Sequence, residues 1–511
     1  MTTSSPTKSP LTPRSPRAIV LALLASAAVP ALAASSCGGE TGTTPEPEPQ
    51  LTADELKDPE KCQKCHPDHY REWSGSMHAY AGDDPVFLAM NARGQRETNG
   101  ALGDFCVKCH APIAVMEGAT KDGLNLAELP KSRRGITCYF CHSVSEVAGT
   151  HNNPLTLADD GVLRAGIADP VETSAHKSAY SKLHDRNTPD SSTLCGSCHD
   201  VVTPAGTHIE RTFVEWQDTL FSHAGAQQLS CGQCHMDGRD GLAADAPGVK
   251  VRRVHAHGNP GVDVALTEWP EMDAQKQAIQ ASLDTTLLAE LCVRGAGSPG
   301  ATIQVVLDNA GAGHKWPSGA SQDRRAWVEV IAYAGDQIVY QSGVVPDGKS
   351  VSEITDPDLW WPRECMLDNN GKQVHMFWEA ADFDENTLPG AVTSNMADPL
   401  FYATHVVRTY PRPTSTPAAL DTPPDRVTMR VRLVPIGFDV LDDLIASGDL
   451  DPAIKAKMPV FELTPTAIEW TEATATIKYP DQGVAVSCVT AGLQTGANNA
   501  VPAPEMSKCP E

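Results

Sequence analysis

Hydrophobic and polar positions follow three different rhythms along the 511-residue chain. Residues 18–34 are almost unbroken apolar sequence behind Arg14 and Arg17, and then give way to small residues and Cys37. A basic stretch ahead of a short apolar run reads as an export leader, and the run is too short to span a bilayer comfortably. From about 52 to 257 little strand alternation is sustained; short polar and Gly-rich pieces follow one another. Residues 272–291 then place Ile279, Leu283, Leu287, Leu288 and Leu291 at helical spacing with polar residues between, which predicts one amphipathic helix bridging two modules. After Gly300 the rhythm becomes alternation, in Ile303-Gln304-Val305-Val306-Leu307, Trp327-Val328-Glu329-Val330-Ile331, Val427-Thr428-Met429-Arg430-Val431-Arg432-Leu433 and Thr474-Ala475-Thr476-Ile477. Strands of this kind, separated by Gly, Pro and Asp turns, predict an antiparallel β-sandwich over 301–480.

These shifts divide the chain into a leader (1–36), a tether (37–52), a first module (53–260), a helical linker (261–300), the β-sandwich (301–480) and a tail (481–511) that holds Cys488 and Cys509. The tether carries Thr43-Thr44-Pro45-Glu46-Pro47-Glu48-Pro49, which has nothing apolar to bury and stays extended. Ala34-Ser35-Ser36-Cys37 resembles a loose bacterial lipobox, with Ala34 where leucine is usual. Cys37 is therefore a candidate lipid-modified first residue and membrane attachment point, the alternative being cleavage after Ala31-Leu32-Ala33 and release. A formal charge of −24 excludes a nucleic-acid footprint, which needs a basic face, and suits a basic or neutral protein partner.

The chemistry is concentrated in the first module. Five segments read Cys-x-x-Cys-His: Cys62, Cys65 and His66; Cys106, Cys109 and His110; Cys138, Cys141 and His142; Cys195, Cys198 and His199; Cys231, Cys234 and His235. One turn of backbone presents both thiols to the vinyl groups of a haem while the adjacent imidazole reaches the iron. Zinc sites do not require a histidine after every cysteine pair, and a disulfide framework leaves all five histidines without a purpose. The expected cofactors are five c-type haems, and the expected class is a mainly α-helical, irregular, haem-packed N-terminal module followed by the C-terminal antiparallel β-sandwich. Apart from Cys37, four cysteines remain, Cys292, Cys365, Cys488 and Cys509; two disulfides fit an oxidising compartment, with three connectivities open.

The sixth ligand decides whether a haem only passes electrons or also binds substrate. Of the twelve other histidines, His78, His176 and His223 lie in polar, small-residue settings and are the leading distal candidates. His255 and His257 follow the last motif and supply a fourth, with His257 taken as the candidate; His151, His184 and His208 rank lower, and His69 is a neighbour of the first haem. The module also repeats itself once: Glu72-Trp73 precedes Ser76 and His78, and Glu215-Trp216 precedes Ser222 and His223.

Cys62-Gln63-Lys64-Cys65-His66 leading to Tyr70-Arg71-Glu72-Trp73-Ser74-Gly75-Ser76-Met77-His78-Ala79, together with Gly135-Ile136-Thr137-Cys138-Tyr139-Phe140-Cys141-His142 and Leu194-Cys195-Gly196-Ser197-Cys198-His199, resembles the cytochrome c-554 group of the hydroxylamine-oxidoreductase-like multihaem cytochromes. The resemblance covers about residues 55–260. It implies that His78 is a distal ligand, and that the protein transfers electrons in the periplasm or at the cell envelope to redox partner proteins such as other cytochromes. Its enzyme branch implies the alternative, an oxidoreductase acting on a small nitrogen or sulfur oxyanion at one five-coordinate haem. The C-terminal half is similar to a β-domain appended to some multihaem cytochromes, marked by Gly313-His314-Lys315-Trp316-Pro317-Ser318-Gly319 and Arg324-Arg325-Ala326-Trp327, which adds His314 to the ligand candidates. No Cys-x-x-Cys-Lys motif is present, and no evident cross-linking tyrosine, so ammonia-forming nitrite reduction and hydroxylamine oxidation lose their most direct support.

Overall fold

The computed structural model describes residues 50–493 and 499–509, which pack as one compact unit. The leader, Cys37 and the tether up to residue 49 lie outside the described residues. Among the described residues no helix is long and apolar enough to cross a membrane.

Residues 50–260 are built from short pieces. Most helices here span four to six residues; the longer ones are Pro67–Ser74 and Pro85–Glu97. Pieces so short form no stable helix alone, because nucleation is unfavourable; caps and packing hold them. In Pro85–Glu97 the Asp84 side chain accepts from Val86 N, proline occupies the first turn, and Val86, Phe87, Ala89 and Met90 face inward. Four two-stranded ribbons lie between the helices: Val144–Val147 with Leu155–Leu157, Val162–Ala165 with Lys177–Tyr180, Val201–Val202 with His208–Ile209, and Gly238–Leu242 with Val251–His255. The expected mainly α-helical module is therefore not what forms. Helix and strand account for 25% and 24% of the chain, and a Cys-x-x-Cys-His motif needs only one helical turn, leaving the intervening chain free to pair as ribbons.

The strand-rich half also departs from a self-contained sandwich over 301–480. Its six-stranded sheet runs in the order Ile477–Asp481, Val484–Ala491, Leu288–Arg294, Thr302–Asp308, His405–Tyr410, Val501–Pro502, so it draws strands from before and after that span, and its last pair is parallel. A second sheet orders Gln337–Ser342, Arg325–Ala334, Arg426–Val434 and Phe461–Glu462, with Ile468–Thr471 also on Arg426–Val434; a three-stranded sheet is centred on Glu364–Leu367. The predicted helix 272–291 ends early, as Met272–Leu283, and Leu288–Arg294 is a central strand. Helical spacing fits Ile279 and Leu283, which are buried, but Leu288–Arg294 is buried along almost its whole length, and a strand paired on both sides satisfies its backbone there.

One apolar cluster joins the two halves. It runs from Val86, Ala89 and Met90 through Ile279 and Leu283 into the sheets at Leu291, Val305, Trp360 and Trp470. Two disulfides close long loops, Cys292–Cys488 and Cys365–Cys509, which selects one of the three connectivities.

Beside the first disulfide, Glu290 is fully buried and neither carboxylate oxygen has a hydrogen-bond partner. Burial pushes its carboxyl from 4.5 up to about 7, with His405 pulling the other way. A carboxyl raised on folding takes up a proton between those values, so the stability it contributes is complete below the unfolded pKa and is lost as pH rises through about 7. Glu290→Gln is expected to leave the thermal midpoint unchanged below pH 4.5 and to stabilise the protein above pH 7 by about 1–3 kcal/mol. Thermal unfolding at the two pH extremes measures it; an equal change at both would show that the carboxyl is not protonated in the fold.

Candidate haem centre

Each Cys-x-x-Cys-His motif lies on about one helical turn, and local sequence sets the turn. Thr137 caps Cys138–Ser143 by accepting from Phe140 N, and Ser230 makes a reciprocal capping box with Gln233 at the start of Cys231–His235. None of the ten motif cysteines is in a disulfide. The adjacent imidazoles are held from behind. His66 Nδ1 lies 2.7 Å from Ala243 O, His110 Nδ1 3.1 Å from Ala81 O, His142 Nδ1 2.6 Å from Arg164 O and His235 Nδ1 2.8 Å from Pro260 O. A carbonyl only accepts, so the proton sits on Nδ1 and Nε2 keeps a free lone pair for a metal. Burial drives the His78, His110 and His314 imidazoles down to about 4, which keeps them in the neutral form that ligation requires.

Second imidazoles stand opposite several of these. Ring centres are 6.2 Å apart for His66 and His176, 6.3 Å for His142 and His257, and 6.3 Å for His199 and His78. Metal–nitrogen bonds of about 2 Å on either side of one ion, with each ring centre roughly 1 Å further back, require a separation of about 6 Å. The residues present therefore fit haem iron. His314 lies within electrostatic reach of His235 and His199. His110 differs: the Phe87 ring stacks on it at 3.9 Å and 3°, and among the described residues no imidazole stands at the spacing of the other pairs.

Other candidates are placed elsewhere. His223 is exposed beside Leu220 and Val392, with Nδ1 2.7 Å from Thr219 O. His184 turns Nε2 to Cys141 O at 2.7 Å, although its ring lies 5.8 Å from that of His142. His69 packs edge-on against His257 at 4.8 Å, as a neighbour of the first motif. His255 is half-buried.

The repeated Glu-Trp pair explains how distant segments are aligned. Trp73 donates its indole N–H to Ile136 O at 2.8 Å, two residues before Cys138; Trp216 donates to Leu229 O at 3.0 Å, two residues before Cys231. Glu72 accepts from His257 N at 3.0 Å, and Glu215 accepts from Ser318 Oγ at 2.6 Å. Each pair thus fixes one motif through its tryptophan and one histidine-bearing segment through its glutamate. The turn carrying His314 is held further by Asn309 Nδ2, which donates to His314 O at 2.7 Å, by Trp316 N and O pairing with Leu388, and by Arg324 bridging Asp263 at 2.9 and 3.0 Å. Sequence reasoning noticed the Glu-Trp echo without its role. It missed Phe87 and the four backing carbonyls, and a carbonyl has no side chain to signal it.

The motifs also touch one another. Thiols of Cys62 and Cys138, of Cys109 and Cys198, and of Cys195 and Cys231 are near enough to interact electrostatically. Cysteine pairs clustered this closely, each followed by an imidazole, are the donor set of covalently attached haem, and the chain is a multihaem c-type cytochrome holding several iron-containing haems. Comparisons with known proteins agree. Residues 61–143, which include the first three motifs, match the family described as cytochrome c554 and c-prime. The fold is similar to the crystal structure of a penta-heme cytochrome c552 from Thermochromatium tepidum, with a TM-score of 0.54, 20% identity, and coverage of 82% of this chain and 99% of that one. That share is too large to be confined to the motif-bearing half, and at that identity the likeness is one of fold. No curated protein matches the chain.

Gly196 lies inside the fourth motif, where an added Cβ would overlap the Phe213 ring. Gly196→Ala should cost about 1–3 kcal/mol, because a packed aromatic has to move. Denaturant unfolding of the purified holoprotein measures the loss; a variant as stable as wild type would mean that Phe213 gives way freely.

Proposed function

We propose that this electron-transfer cytochrome carries five haems per chain, one on each Cys-x-x-Cys-His motif, and works outside the cytoplasm in the periplasm or at the envelope, attached through a lipid on Cys37. The observation that carries the haem assignment is that His66, His142 and His199 each follow a cysteine pair outside any disulfide and each have a second imidazole, of His176, His257 and His78, at 6.2–6.3 Å. With His314 assigned to the haem of His235, four haems have two histidines each. Bound haems supply iron that cycles between ferric and ferrous states, and axial ligation tunes the potential. The protein's own work is to hold each Nε2 in place, to keep water from the buried imidazoles, and to bring the motifs close together. The partners that fit are redox proteins with a basic or neutral docking face, given the net charge of −24.

A second reading rests on His110. Phe87 packs flat on its ring, and no second imidazole among the described residues stands at ligation spacing, which supports an open sixth position at that haem and, with it, reduction or oxidation of a small nitrogen or sulfur oxyanion.

Carbon monoxide uptake by the reduced protein, with spin-state spectroscopy of the oxidised one, tests both readings. Wild type is expected to bind carbon monoxide at one haem. His78→Ala should keep five covalent haems, convert one from low to high spin and bind at two. Wild-type binding at none would remove the second reading, and a His78→Ala spectrum like that of wild type would remove His78 as a ligand. For the location, Cys37→Ser should shift the protein from the membrane to the soluble fraction with its haem content unchanged. Unchanged membrane association would overturn the lipid anchor.

A further inference from the structure

His151 and His208 belong to neither the motifs nor the imidazole pairs assigned above, yet their ring centres are 6.3 Å apart at 62°. Both side chains are exposed. They come from separate segments that are clamped together. His208 sits directly opposite Val202 in the ribbon Val201–Val202 with His208–Ile209. Asn152 binds both backbone groups of Val202, donating from Nδ2 to Val202 O at 2.8 Å and accepting Val202 N at Oδ1 at 3.0 Å. Asn152 and Asn153 are consecutive left-handed residues, with φ of 59° and 56°, and this bend presents His151 over the ribbon. Their backbone N–H groups bond Asp200 O and Ser197 O, and Asn153 also donates to Lys108 O, so the loop is fastened to two haem motifs.

Thr150 Oγ1 lies 3.1 Å from His151 Nδ1, which occupies that nitrogen and leaves Nε2 as the available donor atom. Asp200, 2% exposed, is in electrostatic contact with both imidazoles, and Arg211 Nε pairs with its Oδ1 at 2.9 Å. A tetrahedral ion brings two imidazole centres to about 5 Å, whereas ligands on opposite sides of one ion stand about 6 Å apart. The observed spacing therefore suits a tetragonal site with nitrogen and oxygen donors, the preference of Ni(II) and Cu(II).

We propose that His151 and His208 form a surface site for a divalent transition cation of this preference, with water filling the remaining positions. The site is carried by exposed side chains on a clamped loop and is independent of haem ligation. The test uses the full holocytochrome after chelator treatment, with Ni(II) as the probe, bound metal measured by equilibrium dialysis, and the ligands read from the nickel absorption edge. Wild type should bind one equivalent through two imidazoles. His151→Gln and His208→Gln should each weaken binding by at least about tenfold, with haem content and the visible spectrum unchanged, while His223→Gln, another exposed histidine, should bind as wild type does. Binding unaffected by both substitutions, or weakened equally by His223→Gln, overturns the proposal.

Discussion

An imidazole that is to offer Nε2 to a metal must have its other nitrogen held, and here four of the five motif histidines are held by main-chain carbonyls from outside their own helical turn. The carbonyls of Ala81, Arg164 and Pro260 come from 22 to 29 residues away, and that of Ala243 from 177. Each carbonyl must sit within hydrogen-bond distance of a ring whose position is already fixed by two neighbouring cysteines. That requirement propagates outward: Arg164 lies in the ribbon with Lys177–Tyr180, which fixes the strand that follows His176, and Ala81 ends the turn that carries His78. Backing one motif imidazole therefore positions the segment that carries another histidine, and a module of short helices and ribbons follows because each piece is cut to the length between two such anchors.

The strand-rich half takes part in the same scheme. It delivers His314 on a turn braced by Asn309, Leu388 and Ser318, and it buries charge where the two halves meet. Arg324 is 7% exposed and bridges Asp263 across the seam; nearby Asp323 has its carboxyl pushed up to about 7 by burial, against the pull of Arg325. A buried charge left without its partner is expensive, so this pairing penalises separation of the halves. Together with the shared apolar cluster from Val86 to Trp470, it explains why the described chain packs as one unit although its sequence reads as two modules.

The parts legible in the sequence were those written in side-chain chemistry. The five motifs and the even set of four further cysteines stand out by residue type, and His78, His176 and His257, singled out by their setting, lie 6.2–6.3 Å from motif imidazoles. What was not legible lay in backbone geometry and in tertiary override. Helical spacing at 272–291 continued through Leu288 and Leu291, and only the strands on both sides of Leu288–Arg294 turned that segment extended. His223 looked equivalent to His78 because both follow Glu-Trp and serine. Yet Ser76 caps a helix whose residue Ala79 is buried, whereas Ser222 turns back to Gln217 O and Thr219 O and leaves His223 at the surface. The echo was real, and its repeated element is the Glu-Trp clamp, not the histidine.

Contacts among the motifs give the module its connectivity. In sequence they follow one another, but in space Cys62 meets Cys138, Cys195 meets Cys231, and Cys198 meets Cys109; Cys141 is also in electrostatic contact with both Cys195 and Cys198. The fourth motif is thus a branch point touched by the second, third and fifth, and the first reaches the others through the third. In a linear order, loss of an end motif leaves the rest in contact. Here the fourth is the one whose displacement would separate the second and fifth from the remainder. Its surroundings match that position: Gly196 has no space for a side chain against Phe213, Ser192 Oγ accepts from Cys231 N, and Asn153 ties Ser197 to the Lys108 carbonyl of the second motif. Close packing thus surrounds the motif on which the continuity of the whole set depends.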